Sequence, residues 1–254
     1  MQSRLGVVLS DVHVPFQDHT ACDMALRFIR QHRPDTIHLL GDICDFYACS
    51  KFDKDPCRRE TLQDELDETA QFLQRIRRSA PSARIIYSEG NHEFRLRRYL
   101  RSEAKALASL RSLQLEKLLD LPSLSIQFRH QDEPYRIGSL LYTHGSIVRK
   151  WSAYTAKAHF EKYGCSVIHG HTHRFGSFYH SNITDVHGAW ENGCLCGLQP
   201  EYVESPDWQQ GWSVVRGRSG YFHVEQVVVI GGRYHYHGTT YGKKRKSISR
   251  IKEI

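Results

Sequence analysis

Nothing in these 254 residues approaches the run of about 20 apolar residues that a membrane-spanning helix needs. Met1-Gln2-Ser3-Arg4 runs straight into a strand-like segment, so no signal peptide is expected. The seven cysteines are odd in number and irregular in spacing, and Cys194-Leu195-Cys196 is too tight for the usual zinc-binding pair. They read as reduced thiols, and the expectation is a soluble cytoplasmic protein rather than a disulfide scaffold. Internal repeats and low-complexity linkers are also absent.

What is present is ordinary in bulk and unusual in placement. At 40% apolar and 25% charged residues the chain can bury one sizeable core. A single domain over residues 1–241 is expected. The net charge of +7 is concentrated: Phe94 to Asp120 holds seven basic and three acidic residues, and Tyr241 to Ile254 six basic and one acidic. The first segment reads as a basic helical insertion without ligand-like residues (94–120), and 242–254 as a loose basic tail. Such patches suit phosphate-rich partners such as nucleic acid, although solvated helix faces give the same pattern.

The stretch Leu39-Leu40-Gly41-Asp42-Ile43-Cys44-Asp45 organises the rest. It is the end of a buried strand, Thr36 to Leu40, followed by glycine and two acids. In open α/β folds a carboxylate in that position lies at the mouth of the sheet, where ligands bind. Leu5 to Leu9 and Arg84 to Tyr87 are also short apolar runs with the pattern of strands buried on both faces. They end in Ser10-Asp11-Val12-His13 and Gly90-Asn91-His92-Glu93. Helical spacing marks 18–32, with Asp18 as N-cap, and 60–79, so strand–helix–strand units and parallel pairing follow. Later, Ile137 to Thr143 ends at His144-Gly145, and Ser166 to His169 ends at Gly170-His171-Thr172-His173. A helix is expected over 151–163 between them, and hairpins over 212–228 and 227–236. His38, His169 and His187 are read as core or hydrogen-bonded histidines.

Asp11-x-His13, Gly41-Asp42-x-x-Asp45, Gly90-Asn91-His92-Glu93, His144 and Gly170-His171-x-His173, in this order, resemble the calcineurin-like metallophosphoesterase superfamily. The resemblance spans residue 5 to about 197 and implies an α/β fold, a four-layer αββα sandwich of the metallophosphoesterase type with a helical insertion. It implies two divalent ions, one on Asp11, His13, Asp42 and His173, the other on Asp42, Asn91, His144 and His171. It further implies His92 as proton donor and Asp45 as its orienting partner. The implied function is a phosphoester hydrolase, foremost a phosphodiesterase or nuclease acting on nucleic acid or nucleotides; the alternatives are a phosphomonoesterase and a non-catalytic binding module. Phe46 stands where the protein phosphatases of the superfamily carry arginine, which weakens the case for a phosphoprotein monoesterase. The segment 190–211 is similar to small phosphoesterases of bacteriophage and bacterial genomes.

Donor chemistry points the same way. Mixed imidazole and carboxylate ligands suit Mn²⁺, foremost here, or Fe or Zn²⁺, rather than Mg²⁺ or Ca²⁺. Two ions about 3.5–4 Å apart can hold a hydroxide for in-line attack on phosphorus. A histidine outside the ligand set can then protonate the leaving oxygen. Arg174 is a candidate contact for the substrate phosphate.

Overall fold

The computed structural model describes residues 4–54, 57, 59–200, 204–218 and 220–242. The tail expectation for 243–254 lies outside the described residues. Strand β1 (Arg4–Leu9) is followed by helix α1 (His19–His32), β2 (Thr36–Leu39), α2 (Leu62–Ser79) and β3 (Arg84–Ser88). Asp18 caps α1 by accepting the Ala21 N–H, and Thr61 and Asp64 form a reciprocal capping box on α2. The expected parallel pairing of β1 with β2 is present, and β3 extends it.

The insertion is less helical than its composition predicts. After α3 (Glu93–Ser102) come two single 3-10 turns, 105–107 and 111–113, then the short α4 (Leu115–Leu118). Apart from Leu96 and Leu115, few of its side chains are buried, so little packing is available to extend a helix.

Strand β4 (Ile126–Arg129) pairs parallel to β3. The single strand expected over 137–143 is instead a hairpin, β5 (Tyr135–Ile137) and β6 (Leu140–Thr143), turning at Gly138, whose φ of +61° favours glycine. Then come α5 (Tyr154–Tyr163), β7 (Val167–His169), β8 (Phe175–Ser181), β9 (Val186–Asn192), β10 (Gln210–Arg218) and β11 (Tyr221–Val229). The 212–228 hairpin is β10–β11. The second hairpin is displaced: β12 (Arg233–Tyr236) makes one bridge at Ile230 but pairs in full with β13 (Thr239–Gly242). Gly242, the first residue assigned to the loose tail, therefore belongs to a strand, next to Tyr241, which stacks on Tyr234 at 4.9 Å.

Two sheets result. One has the order β11-β10-β1-β2-β3-β4, the other β5-β6-β7-β9-β8. Side-chain alternation sorts them into layers. Val7, Leu9, Ile37, Leu39, Trp212 and Val214 face α1 and α2. Val8, Leu40 and Val215 point the other way, onto Tyr142, Ile168 and Trp190 of the second sheet. Leu141, Val167 and Ala189 pack outward against Ala156 on α5. The arrangement is helices, sheet, sheet, helix: the four-layer αββα sandwich.

Candidate metal centre

Each of the five polar clusters follows the C-terminal end of a strand: β1, β2, β3, β6 and β7. The loops after β1 and β2 are laced together, with Asp11 N–H on the Gly41 carbonyl (3.1 Å) and His13 N–H on that of Asp42 (2.9 Å). Close approach is built in at Gly90, where a Cβ would stand 2.1 Å from Asp42 Oδ1. Asp11, His13, Asp42, His171 and His173 all have φ between +51° and +72°. Non-glycine residues adopt this region at a cost of about 1–3 kcal/mol each, and such strain gathers where side chains must be aimed.

Those side chains meet. Nε2 of His13 and Nε2 of His173 face each other at 3.0 Å, and Asp11 Oδ1 is 3.4 Å from the latter. Asp42 Oδ2 lies 3.2 Å from His144 Nε2 and 3.8 Å from His13 Nε2. Asn91 Oδ1 is 2.9 Å from His144 Nε2. Ligand atoms of Asp11, His13 and His173 lie within 4.8 Å of one another, as do those of Asp42, His144 and His171. Asp42 also groups with His13 and His92, so its carboxylate stands between both sets.

The outer ring nitrogens are fixed. His144 Nδ1 donates to the Leu40 carbonyl at 2.6 Å and His13 Nδ1 to Asp45 Oδ2 at 2.9 Å. Asp45 Oδ2 also accepts from His92 Nδ1 at 2.9 Å. Partners of this kind set the tautomer and turn the other nitrogen inward.

Burial alone would raise the Asp42 carboxyl, but the His144 and His92 imidazoles hold it well below the usual range. Burial is likewise outweighed at Asp11, held down by His173. In return His144 is pushed up to about 9, because Asp42 overcomes the burial that disfavours its charge. His171, partly buried, is brought down to about 4 by desolvation and by the neighbouring His144. Buried carboxylates that draw protons onto adjacent imidazoles mark a place that calls for positive charge. Inward-facing imine nitrogens beside carboxylate oxygens are the donor set a borderline divalent cation takes, so the residues fit a metal.

Residues 7–175 match the calcineurin-like phosphoesterase family. The chain belongs to that family. Its chemistry is the metal-dependent hydrolysis of phosphoesters, and this phosphoesterase therefore binds divalent metal. It is similar to the Gene 54 protein of Mycobacterium phage D29, 28% identical over 263 residues covering 93% of this chain and 98% of that one. The Gene 54 protein of Mycobacterium phage L5 is 29% identical over 253 residues, with the same coverage. The structure of vacuolar protein sorting 29 from Cryptosporidium parvum superposes with a TM-score of 0.51 at 10% identity, over 95% of this chain and 99% of that one, a likeness of fold. No helix among the described residues is long and apolar enough to cross a membrane.

Three features of the phosphoesterase site escaped the sequence reading. Arg95, on the insertion taken to hold no site residue, donates from Nη1 to Asp45 Oδ1 and from Nη2 to His92 Nε2, each at 3.0 Å. Its signal was the three-residue spacing from His92, which puts both on one face as α3 begins. Glu93 is an anchor: its buried carboxylate accepts the N–H groups of Asp42, Ile43, Cys44 and Gly90, and the Tyr87 hydroxyl. Cys196 Sγ lies 3.8 Å from His173 Nδ1, behind the ring. Arg174 is buried, its guanidinium donating to the carbonyls of Arg149 and Lys150 and to Thr155 Oγ1. Arg95 is the arginine that reaches His92 and Asp45.

The histidines set apart in the sequence have other work. His38 donates or accepts between the Tyr135 hydroxyl (2.7 Å) and Thr36 Oγ1 (3.1 Å), and His169 stacks on His159 at 4.0 Å. His187 lies against Phe160.

Proposed function

We propose that this phosphoesterase is a phosphodiesterase acting on nucleic acid or nucleotides, with two divalent ions, Mn²⁺ foremost. The observation that carries the two-ion reading is the position of Asp42 Oδ2 between His144 and His13. Asp11, His13, Asp42 and His173 would hold one ion; Asp42, Asn91, His144 and His171 the other. Bound there, the ions supply Lewis acidity toward the phosphoryl oxygens and a nucleophile from water.

The protein's own groups do the rest. His92 Nδ1 is fixed on Asp45, so Nε2 is the atom that carries a proton to the leaving oxygen. Arg95 donates to that nitrogen in the resting arrangement. An entering phosphate draws the guanidinium onto its own oxygen and frees Nε2 to take a proton from water, which it then passes to the leaving oxygen. Arg95 thus supplies, from α3, the cation that Phe46 does not.

Nucleic acid as substrate is supported by the insertion: Arg98, Arg101, Lys105, Arg111 and Lys117 are exposed on the segment that begins at His92. Exposed cations in a row attract a phosphate backbone. Arg95 favours a second reading, a phosphomonoesterase, because a guanidinium binds a terminal phosphate well. Chelation followed by Mn²⁺ and a panel of single- and double-stranded DNA and RNA, bis-p-nitrophenyl phosphate and p-nitrophenyl phosphate separates the two. Cleavage of polynucleotides and of the diester is expected; activity confined to the monoester would overturn the diesterase reading.

A further inference from the structure

The metal ligands follow the ends of β1, β2 and β3, and a second feature lies at the beginnings of the same strands. Arg4, Thr36 and Arg84, the first residues of those strands, line a cleft of about 910 Å³ together with the β5–β6 turn and the β10–β11 hairpin. A six-residue strand spans about 20 Å, so the cleft and the metal centre open at opposite ends of the sandwich.

Its lining is lopsided in charge. Arg4, Arg84, Arg136 and Arg218 contribute guanidinium groups against one carboxylate, Asp35, which already accepts the Leu5 N–H at 2.7 Å. Arg84 gives one nitrogen to Gln127 Oε1 and Arg136 one to Cys165 Sγ. Arg4 and Arg218 are exposed and have no ion-pair partner among the described residues. Between these cations stand two rings at the start of β11: Tyr221, 72% exposed, and Phe222, partly buried. Phe222 rests edge-on against Trp190, so the open ring is that of Tyr221, on which a flat ligand can stack.

Exposed guanidiniums of Arg4 and Arg218 beside the open face of Tyr221 match a ligand that carries a phosphate and a flat ring. The volume falls in the range of small-ligand sites and exceeds what an inorganic anion fills. We infer that this cleft is a nucleotide-binding site separate from the metal centre, with the arginines on the phosphate and Tyr221 on the base. The occupant is a nucleotide, either free or part of a single strand that the enzyme is holding.

The test uses the metal-loaded protein, with the Asp42→Asn variant, impaired at the metal centre, as a control. Binding of a mononucleotide and of a short single-stranded oligonucleotide is measured by calorimetry on the wild type and on the Arg4→Ala/Arg218→Ala double variant. Both side chains are exposed, so the variant keeps its fold, and its turnover of bis-p-nitrophenyl phosphate stays at the wild-type level. Affinity is expected to drop by roughly tenfold or more with the two cations gone, and to fall with added salt. Loss of mononucleotide binding in the variant supports a free nucleotide as occupant; loss confined to the oligonucleotide supports a held strand. Binding that is unchanged in the Arg4→Ala/Arg218→Ala variant, or that is abolished by Asp42→Asn, overturns the site. The proposed hydrolytic reaction stands or falls separately, on diester turnover.

Discussion

The guanidinium of Arg95 stops 3.0 Å from Nε2 of His92. One of the two groups is free to bear a proton to a leaving oxygen and the other to bind a phosphate oxygen, and each occupies the other until substrate arrives. Arg95→Ala should therefore damage binding of charged esters more than the chemical step. A lost charge-assisted hydrogen bond of about 1.5–3 kcal/mol raises KM roughly 10- to 100-fold. The loss should be larger for p-nitrophenyl phosphate, which carries the extra negative charge, than for its diester. Steady-state kinetics on both substrates decide it: equal kcat/KM for variant and wild type on the monoester would remove Arg95 from the binding of phosphate.

Asp42 and His92 separate metal retention from turnover. Asp42→Asn weakens the oxygen shared by both ligand sets, so metal content and activity should fall together. His92→Ala removes a ring outside both proposed ligand sets; both ions should stay while kcat drops by about 10²–10⁴-fold, the usual contribution of a general acid. Elemental analysis of the purified variants, set beside their kcat values, is the check. An emptied site in the His92 variant would make that ring a ligand instead.

The layers were readable because alternation and strand length carry them: Val7, Val8 and Leu9 can only belong to a strand with apolar neighbours on both faces. The order of the polar clusters was readable for the same reason, since each ends such a run. What the sequence could not supply depends on contacts between distant segments. The 137–143 stretch reads as one strand because Gly138-Ser139 is a two-residue interruption with no run of polar residues around it. Gly242 falls in the expected tail because its partner, Arg233, becomes a neighbour only once β13 turns back along β12. Arg95 was hidden by its company: among six other basic residues of the insertion, nothing but its phase relative to His92 distinguishes it.

Glu93 holds the Asp42 loop by accepting four backbone N–H groups and a phenol from within the core. Glu93→Ala would leave these donors buried without an acceptor, at about 1–3 kcal/mol each where water cannot replace it. Even with partial repair the loss is several kcal/mol, and for a chain of this size each kcal/mol lowers Tm by about 2–4 °C. A fall of roughly 10 °C or more is expected for Glu93→Ala, and a smaller one for Glu93→Gln, which keeps an acceptor oxygen. Calorimetric scans with metal present would show it; a Tm within two or so degrees of wild type in the alanine variant (about 1 kcal/mol or less) would mean the loop stands without this anchor.

His38 makes the stability of the fold depend on acid independently of the metal centre. Burial, with Arg84 adding repulsion, pushes its imidazole down to about 3, whereas the unfolded chain holds a proton there below about 6.5. A depressed folded value means the contribution is intact above pH 6.5 and is lost as pH falls toward 3, by about 1.4 kcal/mol per pH unit. His38→Phe keeps the ring stacked on Tyr142, 4.1 Å away in the wild type, and removes the titration. Its absolute stability falls at every pH, because Tyr135 and Thr36 lose a partner, but its decline between pH 7 and pH 5 should be shallower than wild type by about 2 kcal/mol. Carboxylates and metal ligands titrate alike in both proteins and cancel in that difference. Urea unfolding at the two pH values measures it, and parallel declines would mean His38 gains its proton in the folded protein as readily as in the unfolded one.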